Sequence, residues 1–160
     1  MVSCSGIEKH DRTSVELVRV IDGDTIMIHN GTEKQRVRLI GIDTPESVKP
    51  GVEIEPYSLE AKAFLEELLL HHSIQIEYDP FLKKTDKYGR ELCYVFVDNM
   101  LVQEEMLRSG LAKIRYTTGK EKYLLQMEKA QNEAKKNRKN LWQDKMEPKK
   151  STAPFFFSSL

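Results

Sequence analysis

The sequence predicts an α+β fold, mainly β: a five-stranded barrel carrying three α-helices. Two observations lead there. Short runs alternate apolar and polar residues with the period of a strand, and most of them fall in the first part of the chain. Helical spacing is confined to later segments, and a strong hairpin signal, Asn30-Gly31, joins two of the early runs.

Taken in order, residues 1–13 are polar and are expected to form a disordered tail. Val15 and Leu17, then Val18 and Val20, change phase and suggest a bent first strand. Thr25–His29 reads as the second strand, and Glu33–Leu39 returns as the third. Its alternation puts Lys34, Arg36 and Arg38 on one face and Gln35, Val37 and Leu39 on the other. Ser47–Pro56 holds two prolines and a glycine and reads as a loop. Ser58–His72 is the first helix, with Ala61, Phe64, Leu65, Leu68 and His72 on a common face. Ile74, Ile76 and Tyr78 mark the fourth strand, and Leu92–Val97, apolar on both faces, a central fifth. Asn99 is placed to cap a short helix that runs through Arg108 and is closed by Gly110. The last helix spans roughly Glu121–Asn137, with Tyr123, Met127, Ala130 and Ala134 on one side. Leu141 and Trp142 are expected to pin its end to the body. The domain is therefore expected over 14–143, with 144–160 a flexible tail. Strands first and most helix later fit an OB-type barrel, whose face and loops suit nucleic acid.

At 160 residues, with 31 % charged and 39 % hydrophobic residues, the chain suits one soluble domain with a core that needs no staples. The 25 basic and 25 acidic side chains cancel, which argues against a broadly basic nucleic-acid coat but leaves room for a local basic site. Beyond Gly119 basic residues outnumber acidic ones, and Lys135, Lys136, Arg138 and Lys139 cluster there as a weak phosphate-facing patch or a solvated helix face. Cys93 sits in an apolar strand and reads as a core thiol, Cys4 lies in the tail, and a structural disulfide is not expected. No secretory signal, membrane span or myristoylation site is expected, so an intracellular protein is the default reading.

The chemistry sits in three blocks. Asp22-Gly23-Asp24-Thr25 joins the first two strands and by itself reads as a turn. An EF-hand loop fails there because its fifth position is Ile26. Arg38-Leu39-Ile40-Gly41-Ile42-Asp43-Thr44-Pro45-Glu46 ends the third strand. Pro45 forces Thr44 into an extended conformation that can turn its carbonyl outward. Asp24, Asp43 and that carbonyl would make an oxygen-only half-shell suited to Ca²⁺ or Mg²⁺. With so few carboxylates, affinity is expected to be modest, with Kd of about 10⁻⁴ to 10⁻³ M. Zinc is disfavoured, since the histidines lack HxxxH spacing and the cysteines lie far apart. Glu46 can reach a metal-bound water as general base or orienter, although a loop glutamate is the plain alternative. Arg38 and Arg90 can grip phosphate oxygens in bidentate fashion as charge builds on them. The third block, Thr85-Asp86-Lys87-Tyr88-Gly89-Arg90, also reads as a simple hairpin turn.

With these blocks in this order, and with Ser109-Gly110-Leu111-Ala112-Lys113 and Asn140-Leu141-Trp142 following, the chain resembles the staphylococcal nuclease (thermonuclease) family from about Val15 to Trp142. The resemblance implies an OB-fold barrel with three helices. It also implies a Ca²⁺-dependent nuclease that cleaves DNA and RNA by water attack on phosphorus, leaving 3′-phosphate ends. Single-stranded or locally open substrates would be favoured, and a monomer is the simplest assumption. By this likeness Asp24, Asp43 and the Thr44 carbonyl match the metal ligands, and Glu46 the general base, an assignment disputed in the family. Arg38 and Arg90 match the phosphate-binding arginines, while Lys87, Tyr88 and Tyr116 match nucleotide contacts. Thr118 stands where the family pattern has a second nucleotide-contacting tyrosine, and the loop after Glu46 differs. Loss of a stacking partner worth roughly 1–3 kcal/mol would weaken nucleotide binding or alter base preference. Relatives are often secreted, which leaves the compartment open. The rival readings are a noncatalytic binding module of the same fold and a plain calcium-binding domain. The second leaves Arg38 and Arg90 without a role.

Overall fold

The computed structural model describes residues 11–47, 50–51 and 53–143. The tail expected after 143, and all but the end of the tail expected at 1–13, lie outside the described residues. Five strands form the barrel: β1 (Arg12–Asp22), β2 (Thr25–Asn30), β3 (Glu33–Leu39), β5 (Ile74–Glu77) and β6 (Glu91–Val97). Three two-residue strands, β4 (Ile42–Asp43), β7 (Met100–Leu101) and β8 (Lys113–Ile114), complete the β-structure. The helices are α1 (Ser58–Leu69), α2 (Val102–Arg108) and α3 (Leu124–Lys136), followed by a 3₁₀ turn over Asn140–Trp142.

The strands run in the order β3-β2-β1-β5-β6-β7, and a parallel pairing of β3 with β6 closes the barrel. In that seam Val37 faces Glu91, Arg38 faces Leu92 and Leu39 faces Cys93. The bend expected in β1 is a pair of bulges, because Val18 and Ile21 have no partner of their own on β2. Each extra residue bends and twists the strand, which lets β1 pair with β2 along one half and with β5 along the other. The β2–β3 hairpin closes at Asn30 opposite Glu33, so Gly31 and Thr32, rather than Asn30-Gly31, make the turn. Gly31 takes φ +64° there.

Side chains from every barrel strand fill the interior, with Ile26, Ile28, Val37, Ile76 and Val95 all essentially inaccessible. Burying such side chains stabilises the fold by roughly 1.5–3 kcal/mol each. Helix α1 covers one opening with Ala61, Leu65 and Leu69. Phe64 and Leu68 are half-buried beside them. Helix α2 packs on α3 through Met106, Met127 and Ala130, and the buried Gln103 amide bonds the Cys93 carbonyl and Val95 N–H of β6. Cys93 is a core thiol, fully buried, its pKa pushed up to about 12 by burial.

Several boundaries move. The first strand begins at Arg12, inside the expected tail, and there the Arg12 guanidinium bonds Glu77 at 3.1 Å and stacks on Phe96. Helix α1 stops at Leu69, so His72 lies beyond it and bonds Asp98 instead. Asn99 does not cap α2. It takes φ +64° in the turn between β6 and β7, and the helix starts three residues later at Val102. The fourth strand ends at Glu77, one residue short of Tyr78. Gly110 does close α2, at φ +73°, where a Cβ would lie 2.3 Å from the Lys139 carbonyl oxygen. Leu141 N–H donates to the Gly110 carbonyl, which holds the 3₁₀ turn against the body.

Candidate active site

The three sequence blocks meet at one rim of the barrel, around a groove of about 930 Å³. Asp24, Arg38, Asp43, Glu46, Lys87, Tyr88, Arg90 and Tyr116 all line it. Thr44 lies behind them, bonded to Asp24. Among the described residues neither histidine nor cysteine contributes to the groove lining.

Asp24 is set by the turn between β1 and β2. Asp22 pairs with Thr25, which leaves Gly23 and Asp24 as the turn residues. Gly23 is required by contact, since a Cβ there would lie 2.7 Å from Thr44 Oγ1 and 2.9 Å from Ala61 Cβ. The turn can therefore press against Thr44 and α1, and Asp24 is 8 % exposed as a result. Its Oδ2 accepts hydrogen bonds from the Thr44 N–H (3.1 Å) and Oγ1 (3.2 Å), and its Oδ1 one from Thr25 Oγ1 (2.9 Å). Asp43 is set by β4, which pairs with β8 through Ile42 opposite Ile114 and Asp43 opposite Lys113.

Arg38 links the two carboxylates. Its Nη2 is 3.2 Å from Asp24 Oδ2 and 3.3 Å from Asp43 Oδ1, while Nη1 donates to the Leu39 and Ile42 carbonyls. Burial raises the Asp43 pKa, and the Asp24 charge adds to the rise, with Arg38 and Arg115 offsetting part of it. Two close carboxylates, one held above its ordinary range, make a site that gains from a second positive charge. Among the described residues no three acidic, histidine or cysteine side chains converge to cage a metal ion. The donor chemistry, carboxylate oxygens with neither nitrogen nor sulfur, fits a hard divalent cation that keeps much of its water.

Sequence reasoning passed over Asp22 as a turn residue. The structure buries it at the groove wall, where Oδ1 accepts from the Gly23 N–H and from Ser47 Oγ at 2.9 Å. Burial raises its pKa, those two hydrogen bonds oppose the rise, and the Asp24 and Glu46 charges add to it. Glu46 is half-buried, with its N–H donating to Glu55 Oε2 at 2.7 Å.

The Thr85–Glu91 hairpin brings the second arginine. Asp86 Oδ1 accepts from the Tyr88 and Arg90 N–H groups, and Oδ2 accepts from Arg90 Nε at 2.7 Å. Burial works to raise the Asp86 pKa, but the bonds from Arg90 and Tyr88 prevail and hold it below the usual carboxylate range. Fixing Nε leaves the η nitrogens of Arg90 available toward the groove. In the sequence Asp86 is one residue of the third block, and the signal for its contact with Arg90 is an aspartate four residues before an arginine across a tight turn. Tyr88 and Tyr116 are 62 % and 78 % exposed, which leaves both rings accessible for stacking. Tyr116 holds φ +57°, a left-handed conformation that is uncommon for an aromatic residue. Thr118 is exposed, and its N–H donates to Glu121 in the loop.

Comparison with known proteins identifies the class. Residues 36–144 match the family model described as staphylococcal nuclease homologue. The chain is 36 % identical to a thermonuclease of Staphylococcus hyicus over 138 residues, which cover 86 % of this chain and 80 % of the relative. It is 42 % identical to a thermonuclease of Staphylococcus intermedius over 125 residues, 78 % of this chain and 73 % of that one. A third relative, endonuclease YncB of Bacillus subtilis, is 41 % identical over 131 residues, 81 % of this chain and 61 % of its own length. The chain belongs to the staphylococcal nuclease homologue family, and its closed five-stranded barrel with three helices is the OB-fold of that family.

Proposed function

We propose that the chain is a calcium-dependent nuclease that hydrolyses phosphodiester bonds of DNA and RNA, favours single-stranded or locally open substrates, and leaves 3′-phosphate ends. The observation that carries this reading is the convergence of Asp24, Asp43, Glu46, Arg38 and Arg90 on one groove. The thermonuclease and endonuclease relatives support it. Asp24 and Asp43, with the Thr44 carbonyl, are the residues that would hold the cation. When bound, a divalent ion supplies Lewis acidity toward a phosphoryl oxygen and makes water easier to ionise. Glu46 orients the attacking water and takes its proton. Arg90, anchored at Nε by Asp86, presents its η nitrogens to the phosphate oxygens as their charge grows. Arg38 contributes positive charge at the carboxylate end of the groove. Lys87, Tyr88 and Tyr116, which line the same groove, contact the bound nucleotide. No helix among the described residues is long and apolar enough to cross a membrane.

The test is cleavage of single-stranded DNA with Ca²⁺, Mg²⁺ or EDTA, run beside Glu46→Ala. Calcium-dependent cleavage to 3′-phosphate ends is expected, reduced about a hundredfold or more in the variant. Retained binding without cleavage in any metal would instead identify a noncatalytic binding module.

A further inference from the structure

Among the described residues four cations line the groove, and three have a place in the chemistry above: Arg38, Arg90 and Lys87. The fourth, Arg36, does not. It differs from the two catalytic arginines in one respect. Arg38 is paired with Asp24 and Asp43, and Arg90 with Asp86. Among the described residues Arg36 has no carboxylate partner, and its side chain makes one hydrogen bond, from Nη2 to the Tyr88 carbonyl at 3.3 Å. That contact steadies the guanidinium over the groove while most of its five N–H donors stay free.

Strand register fixes where Arg36 lies. On β2, Thr25 faces Arg38 and Met27 faces Arg36, so the two arginines project from the same face of β3, two residues apart. Two strand steps separate them by roughly 6.6 Å at the backbone. That is close to the distance between successive phosphates along an extended single strand. A solvent-facing cation with no internal counter-charge, one phosphate step from the reacting centre, is suited to an anion outside the protein.

We propose that Arg36 binds the phosphodiester adjacent to the one cleaved, so that the groove recognises at least two consecutive phosphates. Its ligand is a polynucleotide strand rather than a mononucleotide. The inference rests on the nuclease reading for the identity of that strand, but its test does not require cleavage.

Binding of a fluorescent oligothymidylate in EDTA is measured by anisotropy across a salt series for the unmodified protein, Arg36→Gln and Arg36→Lys. Thymidine 5′-phosphate, which carries a single phosphate, is titrated in parallel. Arg36→Gln is expected to weaken oligothymidylate binding about tenfold at low salt. It should also flatten the slope of log affinity against log salt by about 0.7, the share of one released counterion on a single strand. Arg36→Lys keeps the slope, and thymidine 5′-phosphate affinity falls less than twofold. An unchanged slope in Arg36→Gln, equal losses for both ligands, or no oligothymidylate binding by the unmodified protein would overturn the proposal. Equal losses would mark Arg36 as a tether for the Tyr88 loop. Cleavage by the unmodified protein in Ca²⁺, assayed on the same preparation, judges the nuclease reading separately from the slope.

Discussion

Replacing Asp86 by Asn separates two jobs done by one carboxylate. Oδ1 accepts the Tyr88 and Arg90 N–H groups at 2.9 and 3.0 Å, and an Asn carbonyl can keep both of those bonds. Oδ2 accepts from Arg90 Nε at 2.7 Å, and there the amide of Asn places a donor against a donor. The hairpin should survive while Arg90 loses its anchor. Hydrogen bonds to charged groups contribute about 1.5–3 kcal/mol. Arg90 is 26 % exposed along its side chain, so solvent screening favours the low end of that range. About 1.5 kcal/mol corresponds to roughly a tenfold fall in kcat/KM. The assay is steady-state cleavage of single-stranded DNA by D86N, R90A and the double variant. D86N should lose about tenfold alone and almost nothing further on top of R90A, because the residue acts through Arg90. Near-normal turnover in D86N, or losses that multiply in the double variant, would refute the reasoning. The pH sense is fixed as well. The Asp86 pKa is lowered by folding, so its contribution to stability is present above the unfolded carboxylate value and fades as pH falls through the folded one.

Two further outcomes concern stability. Gly23→Ala forces a Cβ to within 2.7 Å of Thr44 Oγ1 and 2.9 Å of Ala61 Cβ, and should cost about 1–3 kcal/mol in urea unfolding. An unchanged midpoint would show that the β1–β2 turn has room it does not display. Glu77, 2 % exposed, accepts from Arg12, Lys122 and Tyr123; burial works to raise its pKa, but these bonds lower it. Its stabilisation is therefore present at neutral pH and lost on acidification. Glu77→Gln should lose about 2–4 kcal/mol at neutral pH and much less in acid; an equal loss at both would contradict the assignment.

The barrel was legible in the sequence because its strands alternate cleanly: Ile26 and Ile28, Val37 and Leu39, and Ile74 and Ile76 all face the core. The strands β4, β7 and β8 were not, because two residues carry no period and exist only through their partners. Asn99 looked like a helix cap because asparagine suits caps and left-handed turns equally, and only tertiary pairing of β6 with β7 decides between them. At the site, Arg38, Asp43 and Glu46 stood out as charges ending an apolar strand. Asp22 did not, since its work depends on burial and on Ser47, far along the chain; Asp86 did not, since only the folded hairpin turns Arg90 Nε onto its carboxylate. The commitment of both Arg38 η nitrogens to protein oxygens is likewise a property of the folded rim, not of any local pattern.

The parallel seam between β3 and β6 also has a kinetic meaning. It joins Val37–Leu39 to Glu91–Cys93, segments far apart along the chain. Arg38 lies in one lip of that seam, and Arg90 immediately precedes the other. Contacts of such long sequence separation carry a large loop-closure cost and slow folding. The groups proposed to act in cleavage are thus brought together by the same event that shuts the barrel. A folding intermediate with every hairpin formed but the seam open would hold the acidic half of the site and the Arg90 half as separate pieces, with no catalytic centre between them.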